Sequence, residues 1–167
     1  MASFIFQGLD EYVSKLYALD ECADKYIGEA VYQGANPVAN AVRANIDGLP
    51  AVPDGVGLNA YWNKEKHTDV PLTESAKQGL QAGFGIAKLR TENGYHHVKL
   101  GFEGYNNLRT RNFPNGQPNL LVARRLERGS SVSKKHPIIK PAMKATQEIS
   151  EQKMAEVIDD RINQIMK

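Results

Sequence analysis

The chain has a single cysteine, Cys22, in 167 residues. That excludes an internal disulfide and any cysteine-based metal site. Its sequence neighbours Asp20, Glu21 and Asp24 are acidic, the opposite of the basic setting that makes a thiol reactive, so Cys22 reads as a small helix residue. No apolar run approaches the ~20 residues of a membrane span. The opening MASFIFQGLDEY lacks the basic flank and the apolar length of a signal peptide, so the chain is expected in the cytoplasm when made. Catalytic patterns are missing too. There is no HExxH, Gly-rich phosphate loop or nucleophile elbow. His96 and His97 are adjacent in a predicted strand, so they point to opposite faces and cannot both ligate one metal. The carboxylate pairs Asp10-Glu11 and Asp159-Asp160 fall on predicted helices, where they are solvated or offset the helix dipole. The expectation is a protein that is not an enzyme and takes no cofactor or metal.

What the chain does have is a strong division of charge under a net of only +2. Residues 1–83 carry 6 basic and 11 acidic side chains, residues 84–147 carry 12 and 3, and residues 148–167 carry 3 and 5. The basic middle has three readings: a nucleic-acid face, a face for the acidic end of a neighbouring copy, or a solvated loop face. Its densest run is Arg124-Arg125-Leu126-Glu127-Arg128, followed by Lys134-Lys135-His136. Stacking aromatics are missing there, and no helix-turn-helix pattern presents these arginines. Sequence-specific DNA reading is therefore not expected, whereas nonspecific phosphate contact stays open.

Periodicity predicts one domain over 1–167 of the α+β class. Phe4–Phe6 reads as a short strand or apolar tether. Leu9, Val13, Leu16, Ala23, Ile27, Ala30, Val31, Val38, Val42 and Ile46 recur at helical spacing. They predict a long helix that kinks or breaks near Gly34–Asn36 because Pro37 lies inside it and that ends at Asp47-Gly48. Residues 48–71 form a long Pro/Gly-rich loop carrying Tyr61 and Trp62, which either pack back on the core or wait for a partner. Thr73 predicts an N-cap for a helix over Glu74–Ala82. Phe84–Arg90 and Tyr95–Phe102 alternate as strands around Glu92-Asn93-Gly94, a hairpin signal. Residues 103–119 are a second loop, with Arg109, Arg111 and Phe113. Leu120–Leu126 reads as part strand, part helix. Ile139–Met166 predicts the second long helix, with Pro141 in its first turn. The two long helices are expected to pack on a small, mainly antiparallel sheet. Both loops are expected to be mobile in the free subunit and to face partners.

The order of these parts resembles the tail-completion or head–tail joining family of long-tailed phages, the family that includes the minor tail protein Z of lambda. Phe6-Gln7-Gly8-Leu9-Asp10-Glu11 matches its opening phrase, and Ala41–Ile46 the Ala/Asn-rich end of its first helix. Leu126-Glu127-Arg128-Gly129-Ser130 and His136-Pro137-Ile138-Ile139-Lys140-Pro141-Ala142 match the two phrases around its terminal helix. Each phrase is short, and their order and spacing over nearly the whole chain carry the likeness. Arg128 stands where an aromatic is usual, Ile138 where phenylalanine is, and Leu49–Gly55 only approximates the turn the family has after its first helix. The resemblance implies a non-catalytic virion subunit, a homo-oligomeric ring, six subunits expected, at the head–tail junction. Its partners would be further copies, neck or connector proteins and tail-tube proteins, with genome DNA as a further contact and no membrane. Candidate interface residues are Tyr61, Trp62, Arg109, Arg111 and Phe113 on the loops. Arg124, Arg125, Arg128, Lys134 and Lys135 lie on the basic run. The alternative is a nonspecific nucleic-acid-binding accessory protein using residues 84–147.

Overall fold

A computed structural model describes residues 9–54, 72–109, 111–130 and 134–167. The protein is α+β. Helix α1 spans Leu9–Asp47, α2 Glu74–Gly83, α3 Asn119–Arg128 and α4 Ile139–Met166; the strands are β1 Ala51–Val52, β2 Leu72–Thr73, β3 Phe84–Ile86, β4 Arg90–Glu92, β5 Tyr95–His97 and β6 Leu100–Phe102.

The long helices α1 and α4 run antiparallel along each other. Asn45 Nδ2 donates to Ile138 O (2.9 Å) at one end, and Lys15 Nζ reaches Met166 O (3.4 Å) at the other. Between them Gly34 lets the backbones close: a Cβ there would stand 2.5 Å from Met154 Cγ and 3.3 Å from Ser150 O. Nearer the free end, Arg161 grips the Glu29 carboxylate with two hydrogen bonds, 2.7 and 3.1 Å. The break or kink expected before Pro37 is not a break, because α1 is continuous from Leu9 to Asp47. Proline costs the helix one backbone bond, and packing on both sides outweighs it: Gly34 lies on α4, and Ala39, Val42 and Ile46 lie in the core.

That core gathers the C-terminal part of α1 with α2, α3, the start of α4 and the β3–β6 ladder. Ile46, Leu72, Leu80, Val122, Leu126 and Ile138 are all buried in it. Thr73 Oγ1 caps α2 by accepting from Ala76 N at 3.3 Å, as its position predicts. Asn93 and Gly94 turn the hairpin with φ of 53° and 78°, the left-handed pair that a two-residue turn needs. The hairpin is not one regular ladder. Phe84–Ile86 pairs with Leu100–Phe102, and Arg90–Glu92 pairs with Tyr95–His97. Between these ladders Ala87, Lys88 and Leu89 lie opposite only Val98 and Lys99, so the first strand carries one extra residue, a β-bulge. Beyond the bulge the hairpin bears on α1 at Gly28. There Leu89 and His96 stand where a side chain would be, and His96 Nε2 lies 3.4 Å from Asp24 Oδ1.

Two further expectations are corrected. Leu120–Leu126 contributes no strand; it is helical throughout, inside α3. Val122, Ala123 and Leu126 bury one helical face, and the fully helical state satisfies the backbone without a sheet partner. The loop at 103–119 is anchored rather than loose. Asn106, 2% exposed, donates to Ala76 O (2.7 Å) and to Asn119 Oδ1 (3.1 Å), while Asn119 donates to Glu103 O (2.7 Å) and Gly79 O (3.2 Å). Phe4–Phe6 and most of the 48–71 loop lie outside the described residues. The two ends of that loop pair as the parallel strands β1 and β2.

Candidate functional site

The phrase Leu126–Ser130 and the phrase His136–Ala142 meet in space. Glu127, in the last turn of α3, turns its carboxylate onto the start of α4. Its Oε2 accepts from the amides of Ile138 (2.9 Å) and Ile139 (3.0 Å), and its Oε1 from Lys140 N (3.1 Å). A helix start leaves its first N–H groups without partners. Here Glu127 takes three of them, and the next residue, Pro141, has no N–H to satisfy. Burial pushes the Glu127 carboxyl up. The amides of Ile139, Lys140 and Ile138 and the Lys140 charge outweigh burial and hold it below the usual carboxylate range. Gly129 closes α3 by donating to Arg125 O at 2.7 Å, and His136 N donates back to Leu126 O at 2.8 Å. Two helices 11 residues apart in the chain are thereby locked at a fixed angle.

This lock sets the pose of the basic run. Arg124 and Arg128, four residues apart, share the exposed face of α3 with Leu120 (60% exposed). Leu121 is also exposed. Arg125 turns the other way and is half-buried, and burial pulls its guanidinium below the ordinary value without discharging it. Lys134 and Lys135 are exposed on the segment leading to α4. Arg109 and Arg111 are exposed and Phe113 is half-buried on the loop whose base is closed by Gln117 N to Leu108 O (2.9 Å) and by a bridge between Tyr105 and Pro118. That base adjoins the first residue of α3, so the loop arginines leave from the α3 end of the molecule. Tyr61 and Trp62 lie outside the described residues.

At the other end stands an acidic helical arm. Residues 9–33 of α1 hold six acidic and two basic side chains, and residues 148–166 of α4 hold five and two. Glu11 pairs with Lys15, Glu156 with Lys153 and Glu29 with Arg161, whereas Asp20, Glu21, Asp159 and Asp160 make no ion pair among the described residues. The first part of the apolar stripe read from the periodicity of α1 is not buried here: Leu9, Val13 and Leu16 are 38–59% exposed, and Tyr12 and Tyr17 beside them are 50% and 69% exposed. Periodicity gave the face; only the length of α1 beyond the core leaves it open.

Among the described residues no group of three His, Cys, Asp or Glu side chains is placed to hold a metal ion. No helix among them is long and apolar enough to cross a membrane. Of the features above, Glu127 carried no local signal, because a cap is read within three or four residues of its helix and this one acts from 11 residues away. Comparison of the chain with protein-family models, with characterised proteins and with solved structures finds no match.

Proposed function

We propose that the protein is a structural subunit of a tailed-phage virion, a ring-forming protein at the head–tail junction that completes the tail and joins it to the head. The observation that carries this reading is the Glu127 clamp. It gives one physical reason for the two phrases on which the family likeness leans: a carboxylate ends one helix and seats the next through Ile138, Ile139 and Lys140. A device of that kind fixes an angle and does no chemistry, which suits a subunit that works by shape. The charge division supports self-assembly. An acidic arm and a basic end on one chain complement each other between copies and steer association, and head-to-tail contacts close into rings when the rotation permits.

The decisive experiment removes the protein from the phage. Filled heads and separate tails that fail to join are the expected result, with purified protein imaged as closed rings; normal infectious particles without it would end the reading. A nonspecific nucleic-acid role is the second reading, favoured by the exposed Arg109, Arg111, Arg124 and Arg128. It requires monomeric protein to bind DNA with an affinity that falls steeply with salt.

A further inference from the structure

The exposed apolar stripe of the α1 arm and the exposed face of α3 have matching chemistry. The arm presents Leu16 (43% exposed) with Tyr12 and Tyr17 (50% and 69%), next to Asp20 and Glu21. The α3 face presents Leu120 (60% exposed) with Arg124 and Arg128. Each is apolar toward its N-terminal end and charged one or two turns further along the helix, and the charges are opposite. Arginine also stacks on aromatic rings, and the fold already uses that contact twice: Arg43 lies over Phe84 (5.5 Å) and Arg161 over Tyr26 (5.9 Å).

One chain cannot bring the two faces together. Glu127 ties α3 to Ile138, and Ile138 O is held by Asn45 near the C-terminal end of α1. Tyr12 to Tyr17 lie about 40–50 Å from Asn45 along the same helix, at 1.5 Å per residue. The 10-residue α3 covers only about 15 Å. The α3 face is therefore out of reach of the arm of its own chain, and each face fits its counterpart on a second copy.

We infer that the α1 arm of one copy docks on the α3 face of the next, Tyr12, Leu16 and Tyr17 against Leu120, Arg124 and Arg128, as the repeating head-to-tail contact of the assembly. This rests on the reading of the chain as a self-assembling ring subunit and adds to it the two surfaces that meet. A contact between two different faces leaves one of each unused on any open oligomer, so it propagates, and it closes into a ring when the rotation permits.

Two variants of the full chain test it. The arm variant carries Leu16→Gln with Tyr17→Gln, which removes the apolar contact without adding a charge that could pair with glutamate; the face variant carries Arg124→Glu with Arg128→Glu. All four positions are exposed, so each melt is expected within about 2 °C of the wild type. In sedimentation each variant alone should be monomeric, at a concentration where the wild type forms rings. Mixed in equal amounts they should form dimers and nothing larger, because one intact arm meets one intact face and the remaining ends are dead. As a rescue, Asp20→Lys and Glu21→Lys placed in the face variant should restore rings. A face variant that dimerises alone would show arm-to-arm pairing and overturn the inference, as would a mixture that stays monomeric. Rings formed by both variants as by the wild type would sink this contact and leave the ring reading standing. A wild type that stays monomeric would end both.

Discussion

Glu127 Oε2 lies 3.0 Å from the amide nitrogen of Ile139, the first residue of α4. One carboxylate at the end of a 10-residue helix thus holds the first turn of a 28-residue one. Replacing Glu127 by alanine strips three amides of their acceptor and should cost about 2 kcal/mol, between a lost cap and a lost charged hydrogen bond. For a chain of this size that lowers the melting temperature by roughly 5 °C. Glu127→Gln keeps one acceptor oxygen and should lose about half as much.

The same residue predicts a pH dependence. Its folded pKa is depressed, so its stabilisation is complete above the unfolded value of about 4.3. It is lost as pH falls through the lower folded value. The melting temperatures of wild type and Glu127→Gln should therefore converge in acid below about pH 4 and stay apart at pH 7. Parallel curves across that range would show that the carboxylate charge does not matter.

Asn106 holds the arginine loop. Asn106→Leu would leave Ala76 O and the side chain of Asn119 short of a partner in a buried place. The expected cost is about 3 kcal/mol, read in a denaturant melt. Proteolysis should then cut first within 103–117, while wild type resists there. An unchanged melt would mean that the network is incidental.

Gly34 sets how closely α1 and α4 approach. Gly34→Val drives a side chain into Met154 and towards Ser150 O, an overpacking cost of about 1–3 kcal/mol. The loss should be local. Hydrogen exchange is expected to quicken in 9–33 and 151–166 and to hold in the core around Val42 and Leu126. Equal quickening everywhere would mean that the arm and the core unfold as one unit.

Arg109→Glu with Arg111→Glu reverses charge on an exposed loop whose base is pinned elsewhere. On the head–tail joining role proposed above, the melt and the ring should survive and the joining of heads to tails should fall, scored as infectious particles formed from separated heads and tails. Full joining activity would show that this loop meets no negatively charged partner.

The ring assembly proposed above should weaken with salt. Screening shortens from about 10 Å at 0.1 M to 3 Å at 1 M, and the acidic arm and basic end lose their attraction over that range. The sedimentation shift from ring to monomer between those concentrations measures it; rings indifferent to salt would place the contact on apolar surface alone.

Elements whose cause is local were legible in the chain alone. The period of Leu9 to Ile46 and of Ile139 to Met166 wrote two long helices, Thr73 wrote a cap, and Asn93-Gly94 wrote a hairpin turn, each through backbone preferences acting over a few residues. Three things needed the tertiary structure. Leu120–Leu126 became helix because its apolar face met Leu80 and Ile138 in one core, which no short apolar run announces. Glu127 became the cap of a helix 11 residues away, and Asn106 the anchor of a loop, because folding brought amides and carbonyls that are remote in the chain within 3 Å. The apolar stripe of α1 was legible as a pattern, but whether it was covered was not. Burial depends on what other elements reach it, and the core ends before Tyr17 while the helix does not.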